Sequence, residues 1–109
     1  MTERHSKSLK FALSALQDDE YKDVIKEIYL FGSCARGEEN YQSDIDLLVI
    51  ADPNITKQQI RNLKNDVCPD DYLLPEVNVI VTDSFKDASS SNQFNKNVRR
   101  DGILLWRRS

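Results

Sequence analysis

Apolar positions along the chain alternate between helical and strand spacing. Between about residues 4 and 22 they recur at helical intervals, which predicts an amphipathic N-terminal helix that packs against the rest of the fold. The positions concerned are Leu9, Ala12, Leu13 and Leu16. Residues 26–31, KEIYLF, are rich in strand-forming side chains and lead into Gly32-Ser33, so we expect a first strand that ends in a turn. A short helix over Ser33–Glu39 follows.

The segment from Ser43 to Ile50 begins with alternating polar and apolar residues and ends wholly apolar. This change is typical of a strand with one end at the surface and the other in the core. Asp44 and Asp46 lie two positions apart, so a strand places both carboxylates on one face. Two like charges on one strand cost stability unless something binds between them.

A second long helix and a third strand are predicted after the loop ADPN. Thr56 and Gln59 have the spacing of a capping box, which opens a helix that ends before Pro69. Beyond it, EVNVIV predicts a strand in which Glu76 and Asn78 share one face. The residues expected to face inward are Ile60, Leu63, Val67, Val77, Val79 and Val81.

The end of the chain predicts one more helix and a terminal apolar segment. The helix runs over about residues 89–100 and is closed by Gly102 in a left-handed conformation. Residues 103–106, ILLW, form a strand or a packed tail. Their apolar side chains belong either to the core, the favoured alternative, or to an interface.

The order of these elements predicts an α/β (α+β) fold with a small mixed β-sheet packed against helices. The sheet is mixed because the link between the first two strands is too short for a full crossover helix. Its polar end gathers Ser33, Asp44 and Asp46 with Glu76 or Asn78.

Composition narrows the class of protein. The chain has 109 residues, of which 39% are apolar and 30% charged, and this is typical of one folded domain. It has no signal peptide and no apolar run that could span a membrane, so we expect a cytoplasmic protein with Cys34 and Cys68 reduced. His5, the only histidine, lies in an N-terminal segment expected to fray, which leaves zinc binding and Cys-His catalysis poorly supported.

Charge is unevenly distributed along the chain. The net charge is −3, yet residues 96–109 carry five basic residues and one acidic residue. A basic tail suits a phosphate or an acidic partner surface, but a solvated helix face is the favoured explanation of this charge pattern. Direct nucleic-acid binding is not expected from this pattern.

The polar end of the sheet has the residues of a metal and phosphate site. Asp44 and Asp46 offer oxygen ligands that Mg²⁺ prefers, and two ions roughly 3.5–4 Å apart would clamp the attacking and leaving oxygens of a phosphoryl or nucleotidyl transfer. Gly32 has no Cβ, so backbone amides can approach a phosphate, and Ser33 adds a hydroxyl donor. Arg36, one helical turn on, is expected to reach the same phosphates.

Residues 32–50, GSCARGEENYQSDIDLLVI, resemble the signature of the minimal nucleotidyltransferase (MNT) branch of the polymerase-β-like superfamily. The family pattern is Gly-Ser, ten residues, then Asp-x-Asp, and here Cys34–Ser43 are the ten residues. The match is close at this motif and looser over about residues 24–106, the expected core of a single domain over residues 1–109. The resemblance implies Mg²⁺-dependent transfer of a nucleoside monophosphate from an NTP, most simply AMP from ATP.

The same resemblance assigns roles to individual residues. Gly32, Ser33 and Arg36 would bind the nucleotide, and Asp44 and Asp46 would be catalytic metal ligands. The family places a third aspartate on the next strand, as ligand and base, and that position is Asn78 here. An amide cannot act as a base. Glu76, two residues earlier on the same face, either supplies the missing catalytic and metal-binding carboxylate or is simply exposed.

The resemblance also implies a partner. Relatives of this size are commonly paired with a HEPN-domain ribonuclease toxin and act as antitoxins by adenylylating a tyrosine on it. The chain's length is too short for a second acceptor-binding domain, so another molecule or subunit would present the acceptor. Two alternatives stay open: a catalytically degenerate module that neutralises its partner by occlusion, and an enzyme that modifies a small hydroxylated compound, favoured if the chain forms a homo-oligomer. No membrane partner is expected.

Overall fold

Three helices and four strands make up the part of the chain that the computed structural model describes, residues 1–82 and 102–108. In chain order they are α1 (Glu3–Leu16), β1 (Ile25–Phe31), α2 (Gly32–Arg36), β2 (Ile45–Ala51), α3 (Lys57–Asp66), β3 (Val77–Thr82) and β4 (Ile103–Arg107). The strands form one sheet in the order β3-β2-β1-β4. β1 is antiparallel to β2 and β4, whereas β2 and β3 are parallel. The predicted class, a small mixed sheet packed against helices, is confirmed.

The main core lies between α1, α3 and one face of the sheet. Alternate residues of β2 contribute to it, and they are fully buried because a strand turns every second side chain to the same face. The β2 residues on this face are Ile45, Leu47, Val49 and Ala51. The opposite face carries Asp46, Leu48 and Ile50, so Asp46 lies on the side of the sheet that faces away from the two long helices.

The N-terminal helix corrects one expectation about His5. Its side chain is fully buried, and its Nε2 donates a hydrogen bond to the Ser43 carbonyl at 2.8 Å. Thr2 caps the helix by accepting from the backbone amide of His5 at 3.1 Å. The expectation of a frayed segment was therefore wrong, because a side-chain cap and a long-range hydrogen bond fix this turn.

The same helix ends earlier than its apolar spacing predicts. It stops at Leu16 instead of about residue 22, and turns occupy the chain up to β1. Asp18 organises these turns, since its side chain accepts from the Glu20 amide at 3.1 Å and its carbonyl accepts from the Tyr21 amide at 2.9 Å. Consecutive acidic residues also disfavour a helix C-terminus, where the helix dipole is negative.

The capping box of α3 is present as predicted. The Gln59 amide donates to the Thr56 hydroxyl, and the Thr56 amide donates to the Gln59 side chain, each at 3.0 Å. Leu63 and Val67 are fully buried as expected, while Ile60 is half-buried. This helix therefore starts and packs as its sequence indicates.

The terminal segment ILLW is a strand. β4 pairs with β1, and Leu105 and Trp106 pack against the core, whereas Leu104 is 41% exposed. The basic residues beside it are held by the fold: the Arg107 guanidinium pairs with Glu27 at 2.9 Å, and Arg108 donates to the Asp23 carbonyl at 2.6 Å. The helix predicted over residues 89–100 lies outside the described part, and Gly102, which was predicted to close it, is the first described residue after that gap. Among the described residues, no helix is both long and apolar enough to cross a membrane.

Candidate active site

The register of the sheet places the end of β1 and two polar residues of β2 and β3 in one row across three strands. Phe31, the last residue of β1, lies opposite Asp46 of β2, and Asp46 lies opposite Asn78 of β3. The chain turns immediately after Phe31 into Gly32 and α2. The turn therefore lies on the β1 side of Asp46, and Asn78 lies on the β3 side.

Gly32 lies directly against the Asp46 carboxylate. Its backbone has a φ of 76°, a left-handed conformation that favours glycine. A Cβ built at Gly32 would lie 2.5 Å from Oδ2 of Asp46. The sequence predicted that this glycine would leave room for a phosphate, and the structure shows that its missing side chain first leaves room for the neighbouring carboxylate.

Asn78 joins the two aspartates. Its Nδ2 lies 3.3 Å from Oδ2 of Asp44 and 3.4 Å from Oδ1 of Asp46, so one amide donates to both carboxylates. Burial raises the pKa of Asp46 above its ordinary value, and the charge of Asp44 raises it further. The hydrogen bond from Asn78 and the charge of Arg36 act in the opposite direction. The site thus holds a negative charge that is only partly compensated by its neighbours.

The other residues predicted to bind the nucleotide lie on α2. Ser33 is the second residue of this helix, and its carbonyl accepts from the Glu38 amide at 2.9 Å. Nε of Arg36 donates to Oε2 of Glu38 at 3.0 Å, in an exposed ion pair. Arg36 still lies near enough to affect the Asp46 carboxylate. Ser33 and Arg36 therefore stand on the same short helix beside the aspartates.

Glu76 takes a different position from the two aspartates. It is exposed and immediately precedes β3, where its carbonyl accepts from the Ile45 amide at 2.8 Å. Among the described residues, no three His, Cys, Asp or Glu side chains are grouped so that they could hold a metal ion. The structure therefore brings Asp44, Asp46 and Asn78 together and leaves the Glu76 carboxylate outside that group.

Three polar residues of α1 brace the segments that lead into β2 and β3. Besides the hydrogen bond from His5 to the Ser43 carbonyl, Oγ of Ser8 donates to the Pro75 carbonyl at 2.7 Å. Ser43 immediately precedes Asp44, and Pro75 immediately precedes Glu76. The third residue, Arg4, donates to the carbonyls of Leu73 and Tyr41 at 2.7 and 3.2 Å, and its guanidinium lies 3.9 Å from the centre of the Tyr41 ring.

Sequence reasoning missed this brace, although one signal was present. His5 and Ser8 interrupt the apolar stripe of α1 at the same helical spacing that Ala12 and Leu16 continue, and all four residues are buried. Polar residues within a buried stripe require hydrogen-bond partners, and here the partners are carbonyls beside the candidate site.

A further contact joins α2 to the segment before β2. The buried thiol of Cys34 donates to the Asp44 carbonyl at 3.5 Å, and burial raises the pKa of this thiol. A thiol with a raised pKa is a poor nucleophile and a poor metal ligand. Cys34 therefore positions Asp44 through the backbone, and neither Cys34 nor Cys68 forms a disulfide in the structure.

Replacing His5 by alanine should destabilise the protein. The change removes a fully buried side chain and leaves the Ser43 carbonyl without its donor, so we expect a loss of about 2–3 kcal/mol in the free energy of unfolding. Lys10→Ala, an exposed position of the same helix, is the matched control and should change stability by less than about 0.5 kcal/mol. Urea unfolding measures both, and equal losses for the two variants would contradict the brace.

Comparison with known proteins identifies the family. Residues 16–109 match the family described as "Polymerase beta, Nucleotidyltransferase". The chain is 30% identical over 105 residues to a putative protein adenylyltransferase, MJ0604, of Methanocaldococcus jannaschii, and the match covers 92% of this chain and 96% of that protein.

Two solved structures share the fold. One is a chain of a toxin–antitoxin complex with AMP-PNP, with a TM-score of 0.64, 23% identity and coverage of 99% of this chain and 76% of that one. The other comes from a tri-AMPylated Shewanella oneidensis HEPN toxin in complex with its MNT antitoxin, with a TM-score of 0.55, 20% identity and coverage of 93% and 73%. At these identities the likeness establishes the fold.

The fold and the row of polar residues define a nucleotidyltransferase. The chain belongs to the polymerase β nucleotidyltransferase family. The donors present at the site fit the divalent cation that such an enzyme implies. The two carboxylates lie within reach of one amide and repel each other, and the partly buried Asp46 has a raised pKa.

Proposed function

We propose that this protein transfers AMP from ATP to a hydroxyl group of a partner protein. The observation that carries the proposal is the contact of Gly32 with Asp46, beside the amide that joins Asp46 to Asp44. This contact puts a phosphate-binding type of turn directly against a cation-binding type of carboxylate pair. The name of the Methanocaldococcus jannaschii relative, a putative protein adenylyltransferase, supports AMP as the group transferred.

Each residue of the site has its own role in this reaction. Gly32 and Ser33 bind the triphosphate, and Arg36 adds a positive charge for it on the same side. Asp44 and Asp46 would hold Mg²⁺, which would supply positive charge to the phosphate oxygens. Asn78 fixes the orientation of both carboxylates. A bond forms between the acceptor oxygen and the α-phosphorus, while the bond from the α-phosphorus to the pyrophosphate oxygen breaks.

Glu76 is the group that we propose to accept the proton of the attacking hydroxyl. Asn78 occupies the position at which the family usually has its third aspartate, and an amide cannot act as a base. Glu76 precedes the same strand and is exposed, so its carboxylate is accessible to an incoming hydroxyl. Its separation from the aspartate pair confines this proposal to proton transfer and does not extend it to metal binding.

The acceptor that we propose is a tyrosine on a HEPN-type toxin, which the chain would inactivate as an antitoxin. Support comes from fold neighbours that are themselves toxin–antitoxin complexes, one with AMP-PNP and one containing an AMPylated HEPN toxin. The amide at position 78 favours a second candidate, a catalytically degenerate module that neutralises its partner by occlusion. Under this alternative the chain binds its partner but transfers nothing.

Nucleotide binding, partner labelling and neutralisation by an active-site variant together separate these candidates. A non-hydrolysable ATP analogue should bind the wild-type protein with Mg²⁺ and bind much more weakly with EDTA. Labelling of a co-purified partner from MgATP should accompany this binding. Absence of both binding and labelling would defeat the enzyme proposal, whereas Asp44→Asn protein that still forms the complex but no longer neutralises the partner would defeat the occlusion proposal.

Replacing Asn78 by aspartate should make stability depend on Mg²⁺. The new carboxylate would lie about as close to Asp44 and Asp46 as the amide now does, so three negative charges would meet without their hydrogen bonds. We expect a loss of about 1–3 kcal/mol in the free energy of unfolding with EDTA, and recovery of much of it with Mg²⁺. Thermal unfolding in both buffers measures this effect. Asn54→Asp, in an exposed loop, is the control, and an identical response from it would contradict the assigned geometry.

A further inference from the structure

A cleft adjoins the aspartate pair on the β3 side. It has a volume of about 340 Å³ and is lined by residues 68–72 and 74–78. Asn78 belongs both to this cleft and to the site, since it is one of the lining residues and its side chain donates to both aspartates. The cleft is therefore continuous with the place where the reaction is proposed to occur.

The order of the strands places the cleft on the side from which the attacking hydroxyl would arrive. Asp46 lies on β2 and Asp44 immediately precedes it, with the Gly32-Ser33 turn on the β1 side and the cleft on the β3 side. In phosphoryl and nucleotidyl transfer the attacking and leaving oxygens lie roughly in line, on opposite sides of the phosphorus. If pyrophosphate leaves on the side of the turn, the attacking hydroxyl must arrive from the side of the cleft.

The lining of the cleft has a distinct chemistry. It combines apolar walls, among them Pro69 and Leu74, with three carboxylates, Asp70, Asp71 and Glu76. No residue of this lining, all of it within the described part of the chain, is basic. Tyr72, which also belongs to the lining, is 94% exposed. Apolar walls suit an aromatic ring, and the carboxylates suit cationic side chains beside it.

We propose that the cleft binds a tyrosyl side chain on a basic segment of the partner protein. The ring lies against the apolar walls, and flanking lysine or arginine side chains pair with Asp70 and Asp71. The phenolic oxygen forms a bond to the α-phosphorus of ATP, its proton passes to Glu76, and pyrophosphate departs toward Gly32-Ser33. This inference rests on the proposed function, to which it adds the place and the charge of the acceptor.

Cys68 offers a direct measure of what occupies the cleft. Its thiol lines the cleft and the residue is exposed, whereas Cys34 is buried, so a thiol reagent should modify Cys68 first. The probes are a short peptide with tyrosine between arginines, a matched peptide with tyrosine between glutamates, and a non-hydrolysable ATP analogue with Mg²⁺. We expect the basic peptide to slow modification of Cys68 severalfold and the other two probes to leave its rate unchanged.

The double variant Asp70→Asn, Asp71→Asn tests the role of charge. Asparagine retains the oxygen with which Asp71 accepts from the Leu73 amide, so the loop should keep its fold. Losing two ion pairs at the surface should weaken binding of the basic peptide about fivefold, while binding of the ATP analogue stays unchanged. Equal protection by the acidic peptide, protection by the ATP analogue, or unchanged protection in the double variant would each overturn the proposal.

The two proposals fail in different ways. If the basic peptide protects Cys68 but wild-type protein transfers no AMP to any acceptor, the proposed function fails and the cleft assignment stands. If AMP is transferred from MgATP equally well to the acidic and basic peptides, the proposed function stands and the cleft assignment fails.

Discussion

Asp46→Asn should abolish nucleotide binding and transfer while leaving the protein at least as stable as the wild type. Loss of a carboxylate that we propose to hold the cation should remove several kcal/mol of charge stabilisation, which corresponds to a loss in transfer rate on the order of a thousandfold. The Mg²⁺-dependent binding of an ATP analogue should disappear from calorimetric titration. Asp23→Asn, an exposed position in the turn before β1, is the control and should retain both activities.

The raised pKa of Asp46 determines whether the same variant gains or loses stability. Burial and the charge of Asp44 raise this pKa, so the ionised carboxylate costs stability in the folded protein. The cost is absent below about pH 3.9, the ordinary aspartate pKa, and is fully present above the raised folded-state pKa. With EDTA, the melting temperature of the variant should therefore equal or exceed that of the wild type at neutral pH. A clear fall there would contradict the assigned electrostatics.

Gly32→Ala should impair the reaction far more than its effect on stability would suggest. The methyl group would lie 2.5 Å from Oδ2 of Asp46, so the carboxylate must leave its position between the turn and Asn78. A displacement of about 1 Å in such a site costs about a hundredfold in rate. We expect a loss of that size in AMP transfer, with weaker binding of the ATP analogue.

Gly37→Ala is a matched control for this effect. Gly37 has nearly the same left-handed φ, 72° against 76°, but nothing lies within 4 Å of a Cβ placed there. Both variants should lose about 1–2 kcal/mol of stability from backbone strain, whereas only Gly32→Ala should lose activity. Parallel unfolding and transfer measurements make the comparison, and equal activities in the two variants would show that crowding at Asp46 has no consequence.

The strands and the candidate site could be predicted from local sequence features. Alternation of polar and apolar residues determined which face of β2 is buried, and the Gly-Ser turn marked the end of β1. The capping residues Thr56 and Gln59 located the start of α3. Each of these features acts over a few residues, and the sequence displays such features directly.

Contacts between distant parts of the chain were harder to foresee. The hydrogen bonds of His5 to Ser43 and of Ser8 to Pro75 join residues 38 and 67 positions apart. The position of Asn78 between both aspartates depends on the parallel register of β2 and β3, which spacing along the chain does not specify. The early end of α1 depends on turn hydrogen bonds of Asp18, which compete with the helical spacing of the apolar residues.

Labelled ATP tests the central claim most directly. The protein and a HEPN-type partner would be incubated with Mg²⁺ and ATP carrying the label in either its α- or its γ-phosphate, with EDTA samples as controls. Our account predicts that the α-phosphate label becomes attached to a partner tyrosine, that the γ-phosphate label does not, and that EDTA prevents the attachment. Transfer of the γ-phosphate, or no attachment of either label, would contradict it.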